Sequence, residues 1–119
     1  MKVWAVVGLS NNPDRAAFGV AKLLQDKGHQ IIPVYPRAEV VHGEIGYKAL
    51  SEIPVQVDVV DCFVNSSIVG KVVDEAIAIG AKAVWLQLDV IDEPAVARAQ
   101  AAGLLTVMDR CPAIEYRSR

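Results

Sequence analysis

Five short apolar runs punctuate the chain: Lys2–Val7, Gln30–Tyr35, Val57–Val64, Lys82–Leu88 and Leu104–Met108. Each is rich in β-branched or aliphatic residues, which predicts strands covered on both faces. Helical patterns lie between them. Ala17, Val20, Ala21 and Leu24 follow the i, i+3, i+4, i+7 spacing, and Gly28 supplies a stop. Val69, Val72, Val73 and Ala76 repeat that spacing and end at Gly80. The stretch "DEPAVARAQAAG" sets acids and Pro94 at a helix start and Gly103 at its end. The segment from Pro36 to Pro54, with Gly43 and Gly46, breaks the alternation and predicts a loop with one helical turn at Tyr47–Ser51. Alternating strands and helices predict an α/β fold. It is a three-layer Rossmann-like domain with a five-stranded parallel sheet, right-handed crossovers and strand order 3-2-1-4-5. Ligands of such sheets bind beyond the carboxyl ends of the strands.

Composition narrows the picture. A length of 119 residues predicts one domain, 1–119, large enough to bury its own core. With 53% hydrophobic but only 6% aromatic residues, that core is aliphatic, as buried parallel strands require. A net charge of −2 argues against non-specific binding to nucleic acid or to a membrane surface. Cys62, in an apolar run, reads as a buried thiol, and with Cys111 it sets no disulfide framework, so the expectation is a reduced, cytoplasmic protein. The apolar run of seven before Ser10 is too short for a signal peptide. No run approaches the ~20 apolar residues of a membrane span.

The first turn, "VVGLSNNPDRAAFG", has the outline of a nucleotide-binding turn with most of its glycines missing. Gly8 can serve the turn, Ser10 and Asn11 offer hydroxyl and amide donors, and Gly19 would allow close helix–strand packing. A helix N-terminus follows, which attracts anions. Equally, Ser10, Asn11 and Asn12 could simply cap that helix. After the second strand the first charge is Arg37, where an NAD site places an acid. An arginine there suits a ribose phosphate, as in NADP or coenzyme A, or else is a solvated loop residue. Asn65, Ser66 and Ser67 fall at a strand-to-helix turn, able to cap the helix or to bind a ligand. Gln87, polar inside a buried strand, must find a partner in a ligand or in neighbouring backbone. His29 and His42 read as surface residues without nucleophile or metal-ligand spacing. In the tail, Cys111 beside Arg110 could be reactive, whereas Asp109, Arg110 and Glu115 more simply pin the chain end.

The stretches "VVGLSNNPDRAAFGVAKLL", "IIPVYP", "VDVVDCFVNSS", "AKAVWLQLDV" and "GLLTVMDRCPAIEY" resemble the small stand-alone CoA-binding domain proteins. These are similar in fold to the CoA-binding domain of the succinyl-CoA synthetase alpha subunit. The resemblance runs over nearly the whole chain. It implies coenzyme A across the carboxyl ends of the strands, with Gly8, Ser10 and Asn11 near the phosphates and Arg15 as a phosphate partner. It also implies that Val34, Tyr35, Pro36 and Arg37 surround the adenosine. Asn65 and Ser66 would follow the pantetheine path, with Leu86 and Gln87 at the fourth strand. The chain departs from the family pattern at Tyr35, where asparagine is frequent, and in "VNSS", where charges are usual. The synthetase's phosphorylatable histidine and nucleotide-activating domain have no counterpart in this sequence. The resemblance therefore implies binding of CoA or an acyl-CoA without standalone catalysis, and is compatible with a protein partner or a homo-oligomer. An NADP-linked oxidoreductase-type domain and a non-catalytic subunit of an acyl-CoA ligase are the competing readings.

Overall fold

The structure, a computed structural model, describes residues 2–112 and residue 114. Five strands form one parallel sheet: β1 (Val3–Val7), β2 (Gln30–Val34), β3 (Val59–Cys62), β4 (Ala83–Leu86) and β5 (Leu105–Val107). Three helices connect them: α1 (Ala16–Asp26), α2 (Ser66–Ala78) and α3 (Glu93–Ala101). Between β2 and β3 there is only a single 3-10 turn, Leu50–Glu52.

The strand order is β2-β1-β3-β4-β5, not the expected 3-2-1-4-5. Pro33 supplies the reason. Its carbonyl accepts from the Tyr47 N–H at 2.9 Å on the side of β2 away from β1. The nitrogen and carbonyl of a strand residue point to the same edge, so the missing Pro33 N–H also lies on that outer side. A third strand could not complete its ladder there, which makes β2 an edge. The chain instead covers that edge with one bridge at Tyr47 and crosses to pair β3 with the far side of β1.

Alternation along the strands divides the core in two. Ala5, Val7, Val60, Cys62, Val84 and Leu86 pack toward α2 and α3, against Val69, Val73, Ala76, Ala95 and Ala99. Trp4, Val6, Ile31 and Val59 face α1 and meet Ala17, Val20, Ala21 and Leu24, the residues whose spacing predicted that helix. These are the three layers. Among the described residues no helix is long and apolar enough to cross a membrane.

Gly19 departs from its expected role. It lies exposed on α1, and a Cβ there would meet nothing within 4 Å. It mediates no close packing and only loosens the helix. Gly19→Ala is therefore expected to raise stability by about 0.5–1 kcal/mol, read as a higher thermal midpoint. A lower midpoint would mean that the glycine's lack of a side chain matters to the fold.

Candidate functional site

The carboxyl ends of β1 to β4 open into one cavity of about 630 Å³, within the range of small-molecule sites. Val7 and Gly8 form its floor at β1, with Val34, Tyr35 and Pro36 beyond β2 and Phe63, Val64 and Asn65 beyond β3. Gln87, Leu88 and Val90 close it past β4. Arg15, Ala16 and Ala17 bring the start of α1 to its wall, while Ile68, Val72 and Glu75 bring one side of α2. Lys48, Ala49, Leu50 and Cys111 complete the lining.

Gly8 fixes the floor. Its φ is +98°, and a Cβ there would strike the carbonyl oxygen of Phe63. The Gly8 N–H donates to the Val34 carbonyl at 2.8 Å, joining the ends of β1 and β2. The backbone is thus bare where a ligand could approach it closely.

Two helices begin at this cavity without caps of their own. The residue before α1 is Arg15 and the residue before α2 is Asn65. Neither side chain accepts from the helix, and neither first turn carries an acid. At α1 the residues that carry the leading N–H groups, Ala16 and Ala17, line the cavity, and at α2 the preceding residue Asn65 and first-turn Ile68 do. By contrast, α3 starts away from the cavity and is capped by Asp92, which accepts from the Ala95 N–H at 3.0 Å. Ser10, Asn11 and Asn12 do not cap α1, which begins only at Ala16. Asn12 instead accepts from the Asp14 N–H at 3.0 Å. The capping alternative for this turn is therefore set aside.

The sequence-predicted site residues divide into two groups. Gly8, Arg15, Val34, Tyr35, Pro36, Asn65 and Gln87 line the cavity together. The others are engaged elsewhere. Asn11 donates from its backbone to Glu39 Oε1 at 2.8 Å and from Nδ2 to the Val40 carbonyl at 2.6 Å, fastening the 36–46 loop. Ser10 is buried, with its hydroxyl 3.4 Å from the Asn12 N–H. Arg37 lies outside the lining, with its side chain 77% exposed. It sits over the Tyr35 ring at 5.8 Å and 3.9 Å from Glu39. The Ser66 hydroxyl accepts from the Ile91 N–H at 2.9 Å and donates to the Asp89 carbonyl at 3.3 Å, pinning the loop after β4. Leu86 is fully buried among the α2 and α3 residues.

Sequence reading passed over Lys48 and Glu75, which bring charge to the cavity wall, and Asp61 beneath it. Lys48 falls in the stretch Tyr47–Ser51 that reads as a helical turn, whereas Tyr47 bridges to Val34 and the helical turn begins only at Leu50. The signal for Asp61 was available: it is a lone charge inside the apolar run "VVDCFV". Asp61 is fully buried on β3 and accepts a hydrogen bond from Gln87 Nε2, so Gln87 finds its partner in a carboxyl group rather than in backbone. Asp61 Oδ2 has no partner among the described residues. Desolvation pushes this carboxyl up to about 8, against the opposing pull of the Gln87 hydrogen bond. Burial, and then the neighbouring Asp61 charge, push the Cys62 thiol up, so Cys62 is an inert core residue as expected.

The histidines do not reach the cavity. His29 packs its ring 5.5 Å from that of Trp4. Both histidines are half-buried rather than exposed; the His42 ring lies tilted against that of Phe18 at 4.3 Å, and Nε2 donates to the Phe18 carbonyl at 2.8 Å. It ties the 36–46 loop to α1. In the tail, Asp109 accepts from the Asp89 N–H at 2.7 Å and the Arg110 carbonyl accepts from Trp85 Nε1 at 2.7 Å, so this stretch pins the chain. Glu115 lies outside the described residues. Among the described residues no three potential metal ligands gather.

A family model described as CoA binding domain matches residues 2–117. The uncharacterized protein YneT of Bacillus subtilis (strain 168) is 36% identical over 107 residues, covering 90% of this chain and 79% of YneT. The alpha subunit of ADP-forming acetate–CoA ligase II from Pyrococcus furiosus is 42% identical over 55 residues, covering 45% of this chain and 12% of that protein. Among solved structures, a hypothetical protein from Pyrococcus horikoshii OT3 superposes with a TM-score of 0.92 at 37% identity, covering 97% of this chain and 81% of that one.

Proposed function

Because the chain belongs to the CoA binding domain family, we propose that it binds coenzyme A or an acyl-CoA across the carboxyl edge of its sheet, as a binding or regulatory module without catalysis of its own. One observation carries the reading: the two uncapped helix starts that converge on one largely apolar cavity. Exposed N–H groups at helix starts bind phosphate, and apolar walls suit an adenine ring and a pantetheine arm.

In this reading the pyrophosphate lies over Gly8 and the start of α1, with Arg15 as its charged partner. Val34, Tyr35 and Pro36 flank the adenosine. Lys48 lines the cavity and Arg37 lies against the Tyr35 ring outside it, and Arg37 is assigned the 3′-phosphate. Asn65 and Gln87 border the arm. The cavity lining contains one thiol, Cys111, and no histidine among the described residues. The likeness to a ligase alpha subunit supports a protein partner that would bring the activating chemistry.

Calorimetric titration with CoA, dephospho-CoA and NADP tests the proposal. CoA should bind most tightly, and tighter binding of NADP would move the protein to the oxidoreductase class. Arg15→Ala should weaken CoA and dephospho-CoA alike by about tenfold, the low end for a charge-assisted contact at an exposed residue. Arg37→Ala should weaken CoA and leave dephospho-CoA unchanged. If Lys48→Ala alone shows that difference, the 3′-phosphate belongs to Lys48.

A further inference from the structure

Asp61 occupies the middle of the sheet, between Val6 of β1 and Trp85 of β4. The strand ladder uses only its backbone. A fully buried carboxyl with one oxygen unpartnered costs stability, so its presence points to a role outside strand pairing. Among the described residues its one side-chain partner is Gln87, which lines the cavity while remaining only 4% exposed.

The two polar atoms of a primary amide diverge from one carbon. With Nε2 held by Asp61, the Gln87 oxygen turns away from β3. Among the described residues that oxygen is not one of the buried atoms left without a partner. Gln87 is one of the residues that line the cavity past β4. In the observed contact the amide nitrogen donates to Asp61 Oδ1, an oxygen that keeps an acceptor lone pair whether or not the carboxyl is protonated, so the nitrogen is held toward β3.

We infer that Asp61 is a positioning residue that locks the Gln87 amide with its carbonyl oxygen toward the cavity, where it accepts a hydrogen bond from an N–H donor in the arm of the ligand. The inference rests on the CoA reading, since the pantetheine arm carries amide N–H groups and the adenosine bisphosphate end does not. In that arrangement Gln87 reads the arm, and the helix starts read the phosphates.

The test is a double-mutant cycle with two ligands. CoA and adenosine 3′,5′-bisphosphate, which lacks the arm, are titrated into wild type, Asp61→Leu, Gln87→Leu and the double variant. Each single variant should bind CoA about three- to tenfold more weakly, the range of one neutral hydrogen bond. The double variant should lose no more than either single one, and the bisphosphate should bind all four proteins equally. In the unliganded protein, hydrogen exchange by NMR should show the Gln87 side-chain N–H protected in wild type and unprotected in Asp61→Leu. Asp61→Ala, which also leaves Nε2 without an acceptor, serves if Asp61→Leu does not fold. Additive losses in the double variant, equal losses on both ligands, or protection that survives Asp61→Leu would each overturn the inference. A wild type that takes up neither ligand overturns the CoA reading and the N–H donor assigned here. Loss of protection in Asp61→Leu would then still support the lock itself.

Discussion

Asp61→Asn is expected to widen its stability advantage over the wild type by about 4 kcal/mol between about pH 5 and pH 8. In the unfolded chain this carboxyl ionises near its ordinary value of 3.8, whereas in the folded protein burial raises it to about 8. Between those values the unfolded state has released a proton that the folded state keeps. Stability therefore falls as pH rises, by about 1.4 kcal/mol per pH unit for one proton. Below the lower value both states hold the proton and the penalty disappears. Asparagine has nearly the same shape and no titration, so its stability lacks this slope. Taking the difference between the two proteins cancels every other titrating group.

Asp58 shows the opposite case and lies outside the window. It accepts from the Val3 and Lys2 N–H groups at 2.9 Å each and faces Lys82 at 3.4 Å, and these hold its carboxyl below 3.8. Its stabilising contribution is lost only as pH falls through that lowered value. Urea denaturation of both proteins at several pH values reads the difference. With a urea slope of about 1–3 kcal/mol/M, the gap between midpoints should grow by about 1.3–4 M across the window. A gap that stays constant would show that Asp61 titrates normally in the folded protein.

Such a cost is one a fold bears at a functional position, and this is where the sequence was least legible. The layers could be read because valine and isoleucine runs alternate with helical spacing, and both patterns are local. The strand order could not, because it depends on which edge of β2 remains open. Pro33 held that information in a single missing N–H, visible only once its carbonyl is seen to face outward. The cavity lining was legible at the strand ends occupied by Gly8, Val34, Tyr35 and Gln87, whereas Leu86 at the end of β4 turns into the core. It was less legible where a loop decides which charge enters the cavity. Arg37 and Lys48 are both basic residues after β2, and only the fold of the 36–50 segment sets Lys48 in the lining and turns Arg37 onto Tyr35. Ser66 and Asn11 carry the donors a phosphate needs, yet long-range partners at Asp89, Ile91, Glu39 and Val40 engage them.

Gly8→Ala is expected to lower the thermal midpoint by about 10–15 °C, corresponding to a loss of at least about 3 kcal/mol. Two costs add. The φ of +98° at this position is one that side-chain-bearing residues rarely adopt, which by itself costs about 1–3 kcal/mol. The new methyl group also meets the Phe63 carbonyl, a backbone atom that cannot swing aside. Phe63 is held by its N–H to the Val7 carbonyl at 2.9 Å, and Gly8 by its N–H to the Val34 carbonyl at 2.8 Å. Relief therefore requires the ends of β1, β2 and β3 to separate, and those ends are the cavity floor. CoA affinity should fall at least about tenfold at temperatures where the variant is still folded, because the floor moves and the methyl group fills the backbone approach. Gly19→Ala, in open space on α1, is the matched control, since the same chemical change there should stabilise. Calorimetric unfolding of both variants, with CoA titration of each below its transition, measures the pair. If Gly8→Ala melts within about 2 °C of wild type and binds CoA normally, the phosphate approach does not pass over Gly8, and the ligand must enter from the α2 side of the cavity.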